Sequence, residues 1–374
     1  MSHAGVNPFV YDDPVGPGEL IDREAEAAQL LNLAIGGHNT RLSAPRRFGK
    51  TSLLLKVMDD ARDEGLHAIF VDFYGAVAVH EIARRVEEAY LRDLGGPVRR
   101  AVANVLRTLT VRVTPGGIGA EMAVGGDRRD SAQGRLAAVL DLPKRVFERS
   151  GRRTLVVFDE FQDPLRAEGG LDGLIRSKIQ FHRDEASYVF AGSEPGLLEQ
   201  LFGDRRRPLF DQARPVALGP LGDVDLAEAI AARFEATGRD AGEALDPLLD
   251  LVRGHPQRSM LLAHHLWEHT ERGAEADADA FADALASVDR ELKERFQQTW
   301  QSLGRAPNQR RVLLALAQGD ASLYSRRTLE TFGLDKGGAG SGLRGLVSIG
   351  EVRTADDGPP RIVDPLLERW AAAR

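Results

Sequence analysis

The sequence contains no cysteine, which excludes disulfide bonds and zinc sites built on thiolate ligands. It also lacks a recognisable signal peptide and any apolar run long enough to span a membrane. We therefore expect a cytoplasmic protein that does not use a membrane as a partner.

The chain also has no excess of basic residues. The 49 Lys and Arg residues are outnumbered by 56 Asp and Glu residues, which gives a net charge of −7. This balance does not indicate bulk binding of nucleic acid, although it allows a local basic patch. Hydrophobic residues make up 43% of the chain, which is enough for real cores. A length of 374 residues predicts two or three domains at about 150 residues each.

The stretch Ser43–Leu55 contains a phosphate-loop motif. It matches G-x-x-x-x-G-K-[ST] at every defined position except the first, where Ala44 replaces glycine. Because Gly49 has no side chain, the backbone can pass close to phosphate oxygens, and the amides that follow favour anions. We expect Lys50 to contact the β- and γ-phosphates and Thr51 to offer its hydroxyl to Mg²⁺. The predicted nucleotide-binding residues of this loop are Pro45, Arg46, Arg47, Phe48, Gly49, Lys50, Thr51 and Ser52.

A second anchor is Thr154–Glu160, an apolar run that ends in two carboxylates. In an open α/β sheet, the carboxyl end of such a strand faces the ligand site. We expect Asp159 to hold Mg²⁺ and Glu160 to polarise the attacking water, so that Lys50, Asp159 and Glu160 form the catalytic set. The alternative is a solvated strand end, which the phosphate loop upstream disfavours.

Each of two further features of the sequence allows two interpretations. Ser193 ends a predicted buried strand and either hydrogen-bonds the γ-phosphate or the water, or belongs to an ordinary turn. The arginines that follow either include an arginine finger that acts across a subunit interface, or form a solvated surface. These arginines are Arg205, Arg206, Arg207 and Arg214.

The order of the elements predicts an α/β fold: a parallel P-loop sheet with helices on both faces, a small helical lid domain and a C-terminal winged helix. The predicted strands of the sheet are 39–44, 67–73, 154–160, 188–193 and 214–221. The predicted domain limits are 1–19 for an N-terminal arm, 20–221 for the P-loop domain, 222–303 for the lid and 304–374 for the winged helix. We also expect a hairpin insertion near 111–125, and Asp22 as the N-cap of the first helix.

Several of these segments together resemble the archaeal-type ATPase family, which belongs to the AAA+-related signal-transduction ATPases with numerous domains. The resemblance covers the chain from roughly Gly18 onward, and its most specific piece is the doubled arginine before Phe-Gly-Lys-Thr. Asp22 stands where the family often has glycine. The segments that carry the resemblance are Ile21–Glu24, Ala44–Leu53, Asp159–Gln162, Gly254–Pro256 and Asp364–Trp370.

The resemblance implies ATP with Mg²⁺ as the ligands. It also implies that Gly254–Pro256 lies against the adenine or the ribose, which makes Pro256 a nucleotide contact, and that Arg258 is a second sensor of the nucleotide. The alternative for the same Gly-His-Pro sequence, without the family, is a turn between helices.

Two functions remain compatible with the sequence. The first is an ATPase that hydrolyses ATP to ADP and phosphate as a molecular switch, slowly unless a homo-oligomer or another protein partner completes it. The alternative is a DNA-binding regulator in which the nucleotide is mainly structural. The segment Pro307–Arg374 holds ten basic against eight acidic residues, a thin balance for DNA binding. We therefore favour a protein-contact or autoinhibitory role for the winged helix.

Overall fold

The computed structural model describes residues 5–113, 128–167, 169–319, 322–354 and 358–374. Its central sheet consists of β1 (Thr40–Ser43), β2 (His67–Asp72), β3 (Thr154–Asp159), β4 (Ala186–Gly192) and β5 (Arg214–Ala217). All neighbours pair in parallel, and the strand order is β2-β3-β4-β1-β5. The predicted strands are therefore confirmed, although the last one ends at Ala217 instead of Leu221.

Helices cover both faces of this sheet. They are α1 (Glu24–Ile35), α2 (Lys50–Asp63), α3 (Val79–Asp93), α4 (Gly96–Val113), α5 (Arg128–Leu140), α6 (Leu142–Ser150), α7 (Gln162–Ala167), α8 (Leu171–Ile179) and α9 (Pro195–Gly203). Alternation along β3 shows the two layers, because successive side chains of a strand point to opposite faces. Val156 and Phe158 join an apolar cluster with α3, α5 and α8, whereas Leu155 and Val157 join another with α1 and α2.

One sequence prediction about this part of the chain needs correction, and another lies mostly outside the described residues. Of the hairpin expected near 111–125, residues 111–113 belong to α4 and residues 114–127 lie outside the described ranges. Asp22 does not cap α1, because the N-cap position belongs to Arg23. The Asp22 carboxylate instead accepts a hydrogen bond from the backbone N–H of Gly222 at 2.8 Å. Asp22 therefore joins the start of α1 to the segment that follows β5.

A helical bundle follows the sheet. It contains α10 (Asp223–Ala236), α11 (Leu245–Val252), α12 (Pro256–Glu268) and α13 (Ala278–Leu303), with a short 3-10 helix at Gly242–Ala244. Its core is formed by Leu226, Ile230, Leu248, Leu262 and Val288, which are all fully buried. Phe9 of the N-terminal arm also belongs to this core and is 1% exposed. The arm is thus packed against the helical bundle.

The last module has the winged-helix arrangement. It consists of α14 (Pro307–Gln318), α15 (Arg326–Thr331), α16 (Lys336–Ser348), the antiparallel pair β6 (Val352–Arg353) and β7 (Arg361–Ile362), and α17 (Pro365–Ala372). The glycines of α16 do not interrupt it. Gly342 is needed for packing, since a Cβ there would lie 2.6 Å from the carbonyl oxygen of Asn308 in α14. Within the described ranges, no helix combines the length and apolar character needed to cross a bilayer.

Candidate nucleotide-binding site

The topology brings three strand ends together at one edge of the sheet. β4 pairs with both β1 and β3, so the segments after these strands become neighbours. The phosphate loop follows β1, Glu160 follows β3, and Ser193 follows β4. This is the carboxyl edge, where open α/β sheets bind ligands.

The phosphate loop turns directly into α2. Gly49 is the N-cap of α2 and has φ of 79°, in the left-handed region that favours glycine. Arg47 also has a positive φ, of 70°. No side chain in the described part of the chain caps α2, so the first backbone N–H groups of the helix are free of a capping partner. The helix dipole favours an anion at this end. The signature glycine is therefore required by the backbone conformation.

Lys50 joins the phosphate loop to the end of β3. Its ammonium group donates to Asp159 Oδ1 and, at 2.8 Å, to Glu160 Oε1. Thr51 Oγ1 donates to Asp159 Oδ2 at 3.4 Å. The side chains of Lys50 and Asp159 are each only 7% exposed, so the pair is shielded from water. The structure thus brings together Lys50, Thr51 and Asp159, the groups that the sequence predicted for phosphate and metal chemistry.

Glu160 is held by three neighbouring side chains. Besides Lys50, Ser193 Oγ donates to its Oε2 at 2.8 Å, and the side-chain amide of Gln162 donates to the same oxygen. Burial tends to raise the pKa of Glu160, but the Lys50 charge and these hydrogen bonds lower it overall, so the group is a carboxylate. Its φ of 49° is rare for a residue with a side chain, and Phe161 N–H anchors it by donating to Ala191 O at 2.9 Å.

A cavity of about 570 Å³ lies above these groups. Every predicted loop residue from Pro45 to Ser52 lines it, as do Glu160, Ser193 and Pro256. Asp159 does not line it, but its carboxylate is bonded to Lys50, which does. The cavity is large enough for a nucleotide-sized ligand.

The N-terminal arm also lines this cavity, which the sequence did not indicate. The backbone N–H of Val15 donates to Ser52 Oγ at 3.1 Å, and Tyr11, Asp12 and Asp13 face the cavity. The arm is anchored to the helical bundle, where His264 Nδ1 contacts Phe9 O at 2.9 Å. The arm therefore spans from the bundle to the phosphate loop.

Arg258 is not brought to the cavity, contrary to the role that the family resemblance implied. It is 1% exposed, and its Nε donates to Asp364 Oδ2 at 2.9 Å. Its guanidinium also lies over the ring of Phe296, at 5.7 Å from the centroid. Arg258 is thus occupied in joining the helical bundle to the winged helix. Another arginine, Arg295 of α13, does line the cavity.

The arginines proposed as fingers lie outside the cavity. Arg205, Arg206, Arg207 and Arg214 are all exposed. Arg206 pairs with Asp204 at 2.8 Å, and Arg207 lies 3.5 Å from Asp172. Within one chain they are surface residues, and a finger role stays a prediction about an assembly.

Some cavity residues had no signal in the sequence. Tyr74 follows β2 and is 72% exposed, while Arg233 and Met260 come from α10 and α12. The positions of Arg233 and Met260 depend on how the helical bundle is placed over the sheet. Ile21 and Arg23, by contrast, were singled out by the family resemblance and do line the cavity.

The residues present fit a magnesium ion. Thr51 and Asp159 offer a hydroxyl and a carboxylate, the oxygen donors that Mg²⁺ accepts alongside phosphate and water. Among the described residues, no cluster of three or more His, Asp or Glu side chains forms a complete protein cage for a metal. Such a two-residue donor set suits an ion that arrives with a phosphate ligand.

The fold and the strand order define an α/β protein whose parallel sheet carries a phosphate-loop motif, followed by a helical domain and a winged helix. No family model matches the sequence, and no curated protein matches it either. A Walker-type ATPase of Pyrococcus abyssi has the same fold, with a TM-score of 0.67 over 98% of this chain and 99% of that chain at 17% identity. The ORC2 protein of Aeropyrum pernix, in ADPNP–ADP complexes, has a TM-score of 0.60 over 98% and 96% at 18% identity. The resemblance inferred from the sequence is confirmed at the level of the fold.

Proposed function

We propose that this protein binds ATP with Mg²⁺ and hydrolyses it to ADP and phosphate, acting as a nucleotide-driven switch. The observation that carries the proposal is the contact of Lys50 with both Asp159 and Glu160 beneath a cavity lined by the whole phosphate loop. A buried lysine at the mouth of a helix N-terminus suits a polyphosphate, because both features attract negative charge.

The arrangement of charges suggests how nucleotide binding alters the site. Lys50 is bonded to Glu160 at 2.8 Å, and an incoming β- or γ-phosphate competes for the same ammonium group. Movement of Lys50 toward phosphate frees Glu160 Oε1 to accept a hydrogen bond from water. Ser193, which donates to the other oxygen at 2.8 Å, keeps the carboxylate oriented. Glu160 then orients the attacking water and accepts its proton.

Thr51 and Asp159 would hold the magnesium ion. When bound, Mg²⁺ would neutralise phosphate charge and orient the phosphate oxygens. The loop amides and Lys50 bind the phosphates. Positioning and electrostatic stabilisation therefore supply most of the rate acceleration.

The switch part of the proposal rests on what else lines the cavity. Pro256 of the helical bundle and Val15 of the arm both face it, and Val15 is bonded to Ser52 of the loop. A nucleotide in the cavity touches the sheet, the bundle and the arm together. Its binding and hydrolysis can therefore change how these parts are held.

Two neighbours support nucleotide chemistry by analogy. One is named as a Walker-type ATPase, and the other was solved in complexes with ADPNP and ADP. Their identity to this chain is below 20%, so the argument for activity depends on the residues of this site. We also propose that a homo-oligomer or a separate protein partner accelerates hydrolysis, because the candidate finger arginines all lie on the surface.

The test compares the wild-type protein with Lys50→Ala and Glu160→Gln. Nucleotide binding is measured by calorimetry, and phosphate release is measured over a range of protein concentrations. We expect Lys50→Ala to lose binding, and Glu160→Gln to bind ATP but to turn over at least a hundredfold more slowly. Lys56→Ala and Glu64→Gln, one on the partly exposed side of α2 and one just after it, serve as matched controls. Absence of ATP binding by the wild type would reject the proposal.

The alternative, a DNA-binding regulator, has one observation in its favour. Lys336 and Arg344 are exposed on α16, the third helix of the winged-helix module. Against it, the end of α16 packs on α9, where a Cβ on Gly196 would lie 3.4 Å from the Cα of Ser348. A DNA affinity that falls steeply with salt and is lost in Arg344→Ala would favour this alternative.

A further inference from the structure

A second cavity lies at the opposite, amino edge of the sheet. Its volume is about 450 Å³. Asn39 precedes β1, Ala186 begins β4 and Gln212 precedes β5, while Arg176 and Gln180 come from the end of α8. Because this amino-edge cavity and the phosphate loop lie at opposite ends of β1, ligands can occupy both at once.

The amino-edge cavity is positively charged. His38, Arg176 and Arg183 line it, and no carboxylate does. Arg176 donates to the neutral Oε1 of Gln180 at 2.6 Å. In the part of the chain that the structure describes, neither His38 nor Arg183 has a side-chain partner, and none of the three pairs with a carboxylate.

A neighbouring arginine adds to this charge. Arg153 lies beside Gly37, which lines the cavity, and it donates to Ile35 O at 2.7 Å and to Asp184 O at 3.3 Å. Its partners are backbone carbonyls, so its charge is not neutralised by a carboxylate among the described residues.

The end of α8 explains only part of the cluster. Basic residues are favoured in the last turn of a helix, because they interact with its dipole. This accounts for Arg176 and for Lys178, which also pairs with Asp141 at 2.6 Å. It does not account for Arg183, which lies beyond the helix, or for His38, which precedes β1. Three separate segments therefore place a basic side chain at one cavity.

Amide groups complete the lining. Asn39 Oδ1 accepts a hydrogen bond from Tyr188 N–H at 3.1 Å, which leaves the Nδ2 group of Asn39 as a donor. Gln180 and Gln212 are also in the lining, and their amide nitrogens donate to Ser177 O and Phe210 O, each at 3.3 Å. The guanidinium groups and the Asn39 amide around an open space match the geometry of phosphate oxygens, since arginine binds such oxygens in a bidentate manner.

We propose that the amino-edge cavity binds a small phosphate-bearing anion, with a diphosphate group as the best match to its three basic side chains. This site is separate from the phosphate loop, and the proposal does not depend on ATP hydrolysis. Arg176 and Arg183 supply most of the binding.

The test is a calorimetric titration of the full-length protein with pyrophosphate, while saturating ADP is present to occupy the phosphate loop. Wild type is compared with Arg176→Gln/Arg183→Gln and with the control Arg205→Gln/Arg327→Gln. The control removes two exposed arginines that have no side-chain partner in the described structure and lie outside both cavities. We expect the Arg176/Arg183 variant to bind at least tenfold more weakly, and the control to equal wild type. Binding by wild type should also weaken as salt is raised.

Equal affinity in all three proteins, or no binding of pyrophosphate by wild type at millimolar concentration, overturns the proposal. The single variant Arg183→Gln protects the test against misfolding, since this exposed side chain has no partner to lose. A parallel titration with inorganic phosphate shows whether one phosphate group is sufficient. If ADP does not bind, the difference among the three proteins still reports on the amino-edge cavity, so failure here is distinguishable from failure of the proposed ATPase.

Discussion

Arg258 of α12 and Asp364 at the start of α17 form a buried ion pair between the helical bundle and the winged helix. Arg258 Nε lies 2.9 Å from Asp364 Oδ2, and the two side chains are 2% and 16% exposed. Asp364 Oδ1 also accepts the backbone N–H of Leu366 at 3.0 Å, which caps α17. One carboxylate thus fixes the winged helix to the bundle and begins its last helix.

Replacement of Arg258 by Met should destabilise the protein by about 3 kcal/mol, because it leaves a buried carboxylate without its cation. Asp364→Asn should cost less, since the amide oxygen can still cap α17. Urea unfolding of the two single variants and the double variant measures the coupling between the residues. Arg253→Met, which removes an exposed pair with Glu368, is the control and should change stability by less than about 1 kcal/mol. Additive effects of the two Arg258 and Asp364 changes would contradict the pairing.

His255 should make stability depend on pH. Burial lowers its pKa from 6.5 to about 4, because the imidazole is 4% exposed and packs edge-on against Phe48 at 4.9 Å. The unfolded chain therefore binds a proton between pH 6.5 and 4 that the folded chain does not, and stability falls as pH falls through this window. The loss is up to about 3 kcal/mol at 1.4 kcal/mol per pH unit.

The variant His255→Asn tests this dependence. Asparagine preserves an N-cap acceptor for α12, where His255 Nδ1 now accepts from Arg258 N–H at 3.3 Å. Urea unfolding at pH 7, 6 and 5 should show a steeper loss of stability in wild type than in the variant. Identical slopes would show that another group dominates the acid response.

Much of the sheet and its ligand edge could be predicted from the sequence, because local chemistry determines them. The run Thr154–Asp159 is apolar enough for a strand buried on both faces, and Gly49 is required by both the motif and its positive φ. The winged helix was also predictable, although Gly342 serves a close contact with α14 that no local pattern indicates. Motifs and periodicity therefore predicted the strands of the sheet and the helices of the winged helix.

Long-range contacts determine the parts of the structure that the sequence did not predict. α4 was not predicted, since Gly96, Pro97 and several β-branched residues do not favour a helix, but Val102 and Leu106 pack into the core below it. The arm has no periodicity, and its place depends on Phe9 entering the core of the helical bundle. The position of Arg258 depends on Asp364, 106 residues away. Such partners cannot be read from one sequence.

Glu351 should reduce stability at neutral pH. Burial and the nearby Asp364 carboxylate raise its pKa above the ordinary 4.5, and the charges of Arg46, Arg258 and Arg295 compensate only in part. Here the folded state holds the proton more tightly, so stability is lost as pH rises from 4.5 through the raised value. Glu351→Gln removes this cost and should raise the thermal midpoint at pH 7 but not at pH 4. The exposed Glu64→Gln is the control, and an equal effect of both variants at pH 7 would reject the explanation.

Two glycines of α16 should respond in opposite directions to alanine. Gly342→Ala should destabilise the winged helix by about 1–3 kcal/mol, because its Cβ would meet Asn308 O at 2.6 Å and force α14 and α16 apart. At Gly337 a Cβ would meet only the Asp335 carboxylate oxygen at 3.4 Å, so alanine there should stabilise the helix by about 0.5–1 kcal/mol. Hydrogen exchange of α14 and α16, together with thermal unfolding, measures both effects. Stabilisation by Gly342→Ala would show that the contact between the helices is looser than the structure indicates.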